Sequence, residues 1–501
     1  MAETHTYTRS SGSSKLAGAM AAALAILASS QAQAQSAVLV EAGNERLRDD
    51  LQWLADRGVI QLSTWSWPLP LAAIDAALAA RRSVLTAADR DALADVEIEL
   101  ARQRVALGGG VALRGNTASH PAMGFEAPVR ADAEASAWIE GTRGPVAGRL
   151  QVRGLYQPLT SRQSNFNLEG SYIAGNVGGQ VLWAGQLAHW WGPGQDGSLI
   201  WSNAALAIPG IGLKRGQERP FETRWLSWLG PWSYELFLGQ MLHNQFASGT
   251  KVFSMRFQVE PLPRFQLGFS RLIQWGGSVG GDGLDALGDA ILGRSNDPNG
   301  AVNNEIAGFD LRYTWLPGGN PLTLYGQFIG EDEANRAPTE YLSLVGLQFK
   351  HTWAGARLQW YLESADTMAN RFFGLKDGTP GIAYRHSQFL DGMYHEGLPI
   401  AHFMGGDGRA NSIGVSVAPV QNPYRVRYGA RYLRAEVNPG NQTVNLAFPA
   451  ADTVKLAELS ASWYTRILSV RAAKVHLGLS FLDSRNTGRD TGVKFGVEVP
   501  L

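Results

Sequence analysis

From residue 131 the chain alternates between apolar and polar positions. Ala131, Ala133, Ala135, Ala137 and Ile139 fall on one face of an extended segment, with Asp132, Glu134, Ser136, Trp138 and Glu140 on the other. After a Thr-Arg-Gly-Pro turn, Val146, Leu150 and Val152 alternate with Arg149, Gln151 and Arg153. A repeat of two is the side-chain period of a strand, so each strand has one apolar and one polar face. The same pattern predicts strands near 104–116, 131–140, 146–156, 166–174, 177–189, 219–228, 232–241, 251–259, 264–274, 306–315, 322–329, 341–350, 356–365, 411–418, 424–437, 456–466, 471–482 and 491–501. They number about 18, an even count suited to a closed antiparallel sheet.

Connection lengths alternate too. Gly141 to Pro145, Gly175-Asn176, Leu229 to Pro231, Glu260 to Pro263, Leu316 to Pro321, His351 to Gly355, Pro419 to Pro423 and Leu468 to Val470 are short, whereas 190–218, 275–305, 366–410 and 438–455 are long. A bacterial transmembrane barrel has short periplasmic turns and long extracellular loops. Its interior is polar, and the strand at 424–437 fits: Tyr424, Val426, Tyr428 and Tyr432 face one way, Arg425, Arg427 and Arg431 the other, and an arginine row is costly against lipid. Glu458, Ser460, Ser462, Tyr464, Lys474 and His476 are expected on the same lumen side, and Val493, Phe495, Val497, Val499 and Leu501 outside.

Ahead of the strands the period is 3.6. Leu47, Leu51, Leu54 and Ala55 form a stripe that ends at Gly58. Pro68 and Pro70 open a second short helix, and Thr86-Ala-Ala-Asp89 is a capping-box pattern that starts a third. Residues 35–103 therefore read as a small periplasmic helical bundle, and 104–501 as the barrel. Before them, Arg9 and Lys15 precede the apolar stretch Leu16 to Ala28 and the small-residue site Ala32-Gln33-Ala34, the order of a cleaved signal peptide over 1–34.

Composition agrees with export to an outer membrane. The 501 residues include 16 Trp and no Cys, and no apolar run long enough for a membrane helix follows the N-terminus. With 44 basic and 44 acidic side chains, the net charge of zero argues against a nucleic-acid binder.

The stretch Trp183 to Arg215 stands apart: a strand-like run breaks into two tryptophans, a Gly-Pro-Gly turn and a long loop. Trp190 and Trp191 suit sugar recognition, since an indole face packs on a pyranose while loop amides bond its hydroxyls. The alternative is an aromatic girdle, or the pin of a plug loop. In 366–410, Arg385, His386, Tyr394, His395, His402 and Arg409 gather; guanidinium forks match uronic-acid carboxylates, and aromatic rings supply stacking. A self-packed plug is the competing reading. His395 and His402 lack metal-ligand spacing with carboxylates, so no metal and no cofactor is expected. Gly330-Glu331-Asp332-Glu333 could bind a cation or pair with lumen arginines, but reads first as a solvated acidic loop or a structural pairing that folds the loop inward, and Gly276 to Gly283 lacks the Lys-Ser/Thr of a phosphate loop. Ser198 and Ser202 lie downstream of His189 without a nucleophile elbow, so an enzyme is not expected.

The segments HWWGPGQDGSLIWSN (His189 to Asn203) and IPGIGLKR (Ile208 to Arg215) resemble the signature of the Wzi capsule assembly family. LGFSRLIQWGG (Leu267 to Gly277), IAGFDLRY (Ile306 to Tyr313), LYGQFIGEDE (Leu324 to Glu333), YLESADT (Tyr361 to Thr367) and HFMGGDGRANSIGVSV (His402 to Val417) follow in order, and LQWLADRGVI and TWSWPLP resemble its helical entry. The resemblance implies an outer-membrane barrel of about 18 strands with a periplasmic helical bundle, acting as a monomeric lectin that holds capsular or related exopolysaccharide at the surface of a Gram-negative cell. It further implies contact with outer-membrane lipid and lipopolysaccharide, and makes a polysaccharide export translocon a candidate partner. A channel for sugars or small solutes and a surface hydrolase are the alternatives.

Overall fold

The structure is a computed structural model that describes residues 36–291, 302–334, 337–370, 378, 380–442, 444–467 and 470–501. The expected signal peptide, 1–34, and the turn residues 468–469 lie outside the described residues.

The strands close into a barrel. The wall begins with β1 (Leu107–Asn116), β2 (Ala131–Arg143), β3 (Val146–Pro158), β4 (Tyr172–Val177), β5 (Gln180–Gly185) and β6 (Gly210–Arg215). It continues through β7 (Trp232–Gln240), β8 (Lys251–Leu262), β9 (Phe265–Trp275), β10 (Asn303–Trp315), β11 (Leu322–Ala334) and β12 (Ala337–Trp353). Then come β13 (Ala356–Asn370), β14 (Arg409–Pro419), β15 (Arg427–Val437), β16 (Asp452–Ile467), β17 (Val470–Ser484) and β18 (Gly488–Pro500). Every pairing is antiparallel, and β18 returns to β1 from Lys494↔Asn116 to Pro500↔Gly110. Their number is the 18 expected of a transmembrane barrel, beside one two-residue ladder, Phe166–Asn167, that pairs with β3.

Alternation decides which side chains meet lipid. On β15, Tyr428 and Tyr432 are exposed outside while Arg427, Leu433 and Ala435 are buried. Leu236, Val345, Leu362, Ile413, Leu459, Leu477 and Phe481 extend the same apolar belt around the wall. An apolar surface this extensive is stable only against hydrocarbon.

Three expectations move. The strand expected at 219–228 lies instead at β6, and 216–231 is a connection holding one 3-10 turn, Ser227–Leu229. Pro220 and the clustered Trp225, Leu226, Trp228 and Leu229 break the alternation there, while β6 hides its own behind Gly212 and Lys214 on its inner face. The turn expected at Gly175-Asn176 falls at Gly178-Gly179, whose φ values of 58° and 79° fit a tight hairpin. The strands on either side, β4 and β5, are accordingly shorter than expected. Gly330 to Glu333, read as a loop, belongs to β11.

Helices α1 (Glu45–Asp56), α2 (Leu71–Ala79) and α3 (Ala87–Ala101) form the bundle. Asn44 caps α1 by accepting from the Leu47 amide, and both bonds of the expected capping box join Thr86 and Asp89. The bundle is seated in the short-turn end of the barrel by buried ion pairs. Asp56 binds Arg312 Nη2 at 2.7 Å and Lys350 Nζ at 2.6 Å. Arg357 meets Asp50, Asp91 and Asp95, and Arg427 Nη2 donates to Asp50 at 2.6 Å. Burial alone would raise the Asp56 carboxyl, but Arg312 and Lys350 outweigh it and hold it at about 2.

Candidate functional site

The loop from Gln186 to Pro209 leaves β5 and enters the lumen. Trp190 and Trp191 pair as a short antiparallel ladder with Trp67 and Ser66 of the N-terminal segment. Both indoles are buried. Trp190 meets Phe125 edge-on at 5.1 Å, with the Arg48 guanidinium 4.2 Å over the Phe125 ring. Trp191 donates Nε1–H to Glu235 at 3.3 Å, and His189 and Lys214 converge on the same carboxylate at 3.1 and 2.8 Å. The turn that follows is clamped from the wall: Gln327 donates to the Trp191 carbonyl and accepts from the Leu199 amide at 2.7 Å. Glu363 accepts from the Gln195 and Asp196 amides at 2.6 and 3.0 Å, and Arg431 reaches Asp196 at 2.6 Å.

The connection between β13 and β14 folds in from the same end and locks onto this loop. Tyr384 Oη donates to the Leu199 carbonyl at 2.8 Å, the Ser202 amide donates to the Ile400 carbonyl at 2.8 Å, and His395 Nδ1 lies 2.9 Å from the Leu206 carbonyl. His402 packs so tightly on Gly197 that a Cβ there would overlap its ring. Burial, with Arg431 adding to it, lowers His402 to about 3, so its ring is neutral. Burial raises the Tyr394 phenol to about 12 and lowers His395. All residues from 391 to 408 are buried.

The eight sequence candidates thus separate. Trp190, Trp191, Tyr394, His395 and His402 come together inside the barrel, where protein covers them. In this structure they form a buried layer beneath the loop surface. Arg409 stands on the outward face of β14, paired with Asp366 at 2.9 Å and away from that layer. Arg385 and His386 remain partly exposed, Arg385 bonded to Gln442 and His386 beside Phe389 at 5.8 Å.

Alternation alone does not reveal the neighbours of these two. Asp391 accepts amides of Gln245, Phe246 and Ala247 at 2.7–2.9 Å and pairs with Arg162 at 3.2 Å, so the 159–168 and 241–250 loops join the same cover. Glu396 ties in His243 at 2.9 Å and the Ser164 amide at 3.1 Å. The resulting surface carries Arg162, His243, Gln245, Phe246, Arg385, His386 and Leu390. Its signal in sequence is faint, because it is assembled from three loops. Below it, the lumen keeps a cavity of about 240 Å³ lined by Glu45, His120, Arg431, Glu458 and Lys494, and one of about 120 Å³ beside it. Among the described residues no group of His, Asp and Glu is arranged to hold a metal ion.

Comparison with known proteins gives a consistent picture. The family described as capsule assembly protein Wzi matches residues 103–488. An uncharacterised 55.8 kDa protein in the cps region of Klebsiella pneumoniae is 32% identical over 496 residues, covering 96% of this chain and 93% of that protein. A solved Escherichia coli structure, described as Wzi, an outer membrane protein involved in group 1 capsule assembly and a carbohydrate-binding β-barrel, superposes with a TM-score of 0.82 at 32% identity, covering 92% of this chain and 99% of that one.

Proposed function

The chain belongs to the Wzi capsule assembly family, and from that premise we propose that it is an outer-membrane lectin that binds capsular or related surface polysaccharide and helps attach it to the cell. In this reading the long-loop end is extracellular, the helices are periplasmic, and the protein acts by binding, without bond cleavage. The observation that carries it is the interlocked cover over the lumen. Loops held to one another by hydrogen bonds leave a fixed outer surface, which supports holding a polymer over passing a solute. Arg162, Arg385 and His386 offer donors to sugar hydroxyls and carboxylates, and Phe246, 53% exposed, offers a ring face. The Escherichia coli protein's description as a carbohydrate-binding barrel supports the same reading.

The test is binding of purified protein to the source strain's own polysaccharide. Arg385→Ala, Arg162→Ala and Phe246→Ala are each expected to weaken binding about tenfold, the equivalent of about 1.4 kcal/mol, with the barrel still folded. Unchanged binding by all three would remove this surface from the account, and new reducing ends in the polysaccharide would favour a hydrolase.

A further inference from the structure

The connection from Gly216 to Pro231, between β6 and β7, is the longest at the short-turn end. It leaves Trp225 and Trp228 86% and 66% exposed, with Leu226 between them. Most of the protein's other tryptophans are covered, and indoles this open mark a contact surface.

The geometry says which way the connection faces. On β7, Ser233, Glu235 and Phe237 are buried toward the lumen, so Trp232 and Tyr234 point outward. Phe221 stacks on Trp232 at 4.3 Å and 9°, and Trp232 contacts the outward Phe257 at 5.9 Å. Residues that stack on the outer wall lie beside the barrel and not beneath its mouth. Arg215 fixes the bend: its guanidinium sits 3.9 Å over the Trp232 ring and donates at 2.8 Å to the carbonyls of Arg219 and Trp232. Glu218 holds the other side, accepting from the Ser63 amide at 2.8 Å and from Gln258 at 2.9 Å. The turn is therefore anchored at its base with its indoles free. Trp315, Trp353 and Tyr424 are exposed at the same rim, and the aromatic ladder from Phe221 through Trp232 to Phe257 runs without a break into the apolar belt.

We propose that residues 221–229 form an interfacial foot that places Trp225, Leu226 and Trp228 in the boundary between headgroups and acyl chains of the phospholipid leaflet at the short-turn end. Trp is the residue best suited to that layer, having an apolar ring and one polar N–H. Arg219 and Arg224 flank the indoles within reach of headgroup phosphates. The foot fixes the depth and tilt of the barrel on the β6–β7 side. It rests on the transmembrane reading of the wall.

The chain has no Cys, so Ser227→Cys takes a single environment-sensitive fluorophore. Leu236→Cys on the outward face of β7 and Ser387→Cys on the long-loop surface serve as lipid and water references. In phosphatidylcholine proteoliposomes, the Ser227 probe is expected to be quenched at least threefold more strongly than the Ser387 probe by lipid bearing a shallow nitroxide. It is also expected to be shielded from iodide present on both sides, and Trp225→Ser with Trp228→Ser should reduce that shielding. Iodide quenching equal to that at Ser387 with no lipid quenching, while the Leu236 probe is lipid-quenched, would overturn the foot and point to a protein partner on these indoles. If the Leu236 probe also escapes the lipid quencher, the membrane reading of the wall fails and the foot with it.

Discussion

Glu235 sits on the lumen face of β7, and three groups depend on it. It neutralises Lys214 from the adjacent strand, takes the Trp191 indole N–H and meets His189. Removing one member of a buried pair strands the other charge, at a cost of about 3–5 kcal/mol. Glu235→Ala is thus expected to lower the thermal unfolding temperature in detergent markedly. Glu235→Gln, which keeps the hydrogen-bonding shape, should lose less than Ala. Gly197→Val should disturb the loop cover through His402 and weaken polysaccharide binding without touching the outer surface. None of these roles was legible from composition. Lys214 and Glu235 are register partners, but alternation does not reveal β6, whose glycines leave too little apolar signal. His402 and Trp191 stood out in the sequence as polar or aromatic residues in loops, but a loop's residue types do not say whether it points out or folds in.

Elements were more legible than their placement. The stripe in α1, the prolines ahead of α2 and the capping box of α3 carry local information, and those helices form where expected. That the bundle enters the barrel mouth rests on long-range pairs such as Asp56 with Arg312 and Arg357 with three carboxylates. Arg357→Met would remove the cation that Asp50, Asp91 and Asp95 share, leaving Arg427 and Arg425 as their remaining partners, and should loosen the bundle, read as faster proteolysis of 45–101 in an otherwise folded barrel. Acid should act similarly. Asp56 titrates at about 2 when folded against 3.8 as its ordinary value, so its stabilisation is complete above about pH 4 and falls away as pH drops through 3.8 toward 2. Glu99, which burial would raise but Lys474 and Arg102 hold at about 2, adds to the same trend. Protease sensitivity of the bundle is therefore expected to rise below about pH 4, with little change between pH 5 and 8 from these two groups.

At the scale of the whole molecule, the barrel was readable because its signal repeats 18 times, so a misplaced strand or turn did not change the count or the sidedness of the connections. The cover over the lumen was not, because it depends on contacts between loops far apart in sequence. A lumen filled from both ends, by helices at the short-turn mouth and loops at the other, should pass little current, so planar bilayers are expected to show no large steady open-channel conductance. Arg357→Met should raise that conductance by loosening the bundle. The deciding measurement is the fraction of polysaccharide that stays on intact cells when the only copy of the protein carries Arg162→Ala, Arg385→Ala and Phe246→Ala together. Release of polysaccharide into the medium, with the variant barrel present and folded in the outer membrane, is the predicted result; retention equal to that of the unaltered protein would contradict it.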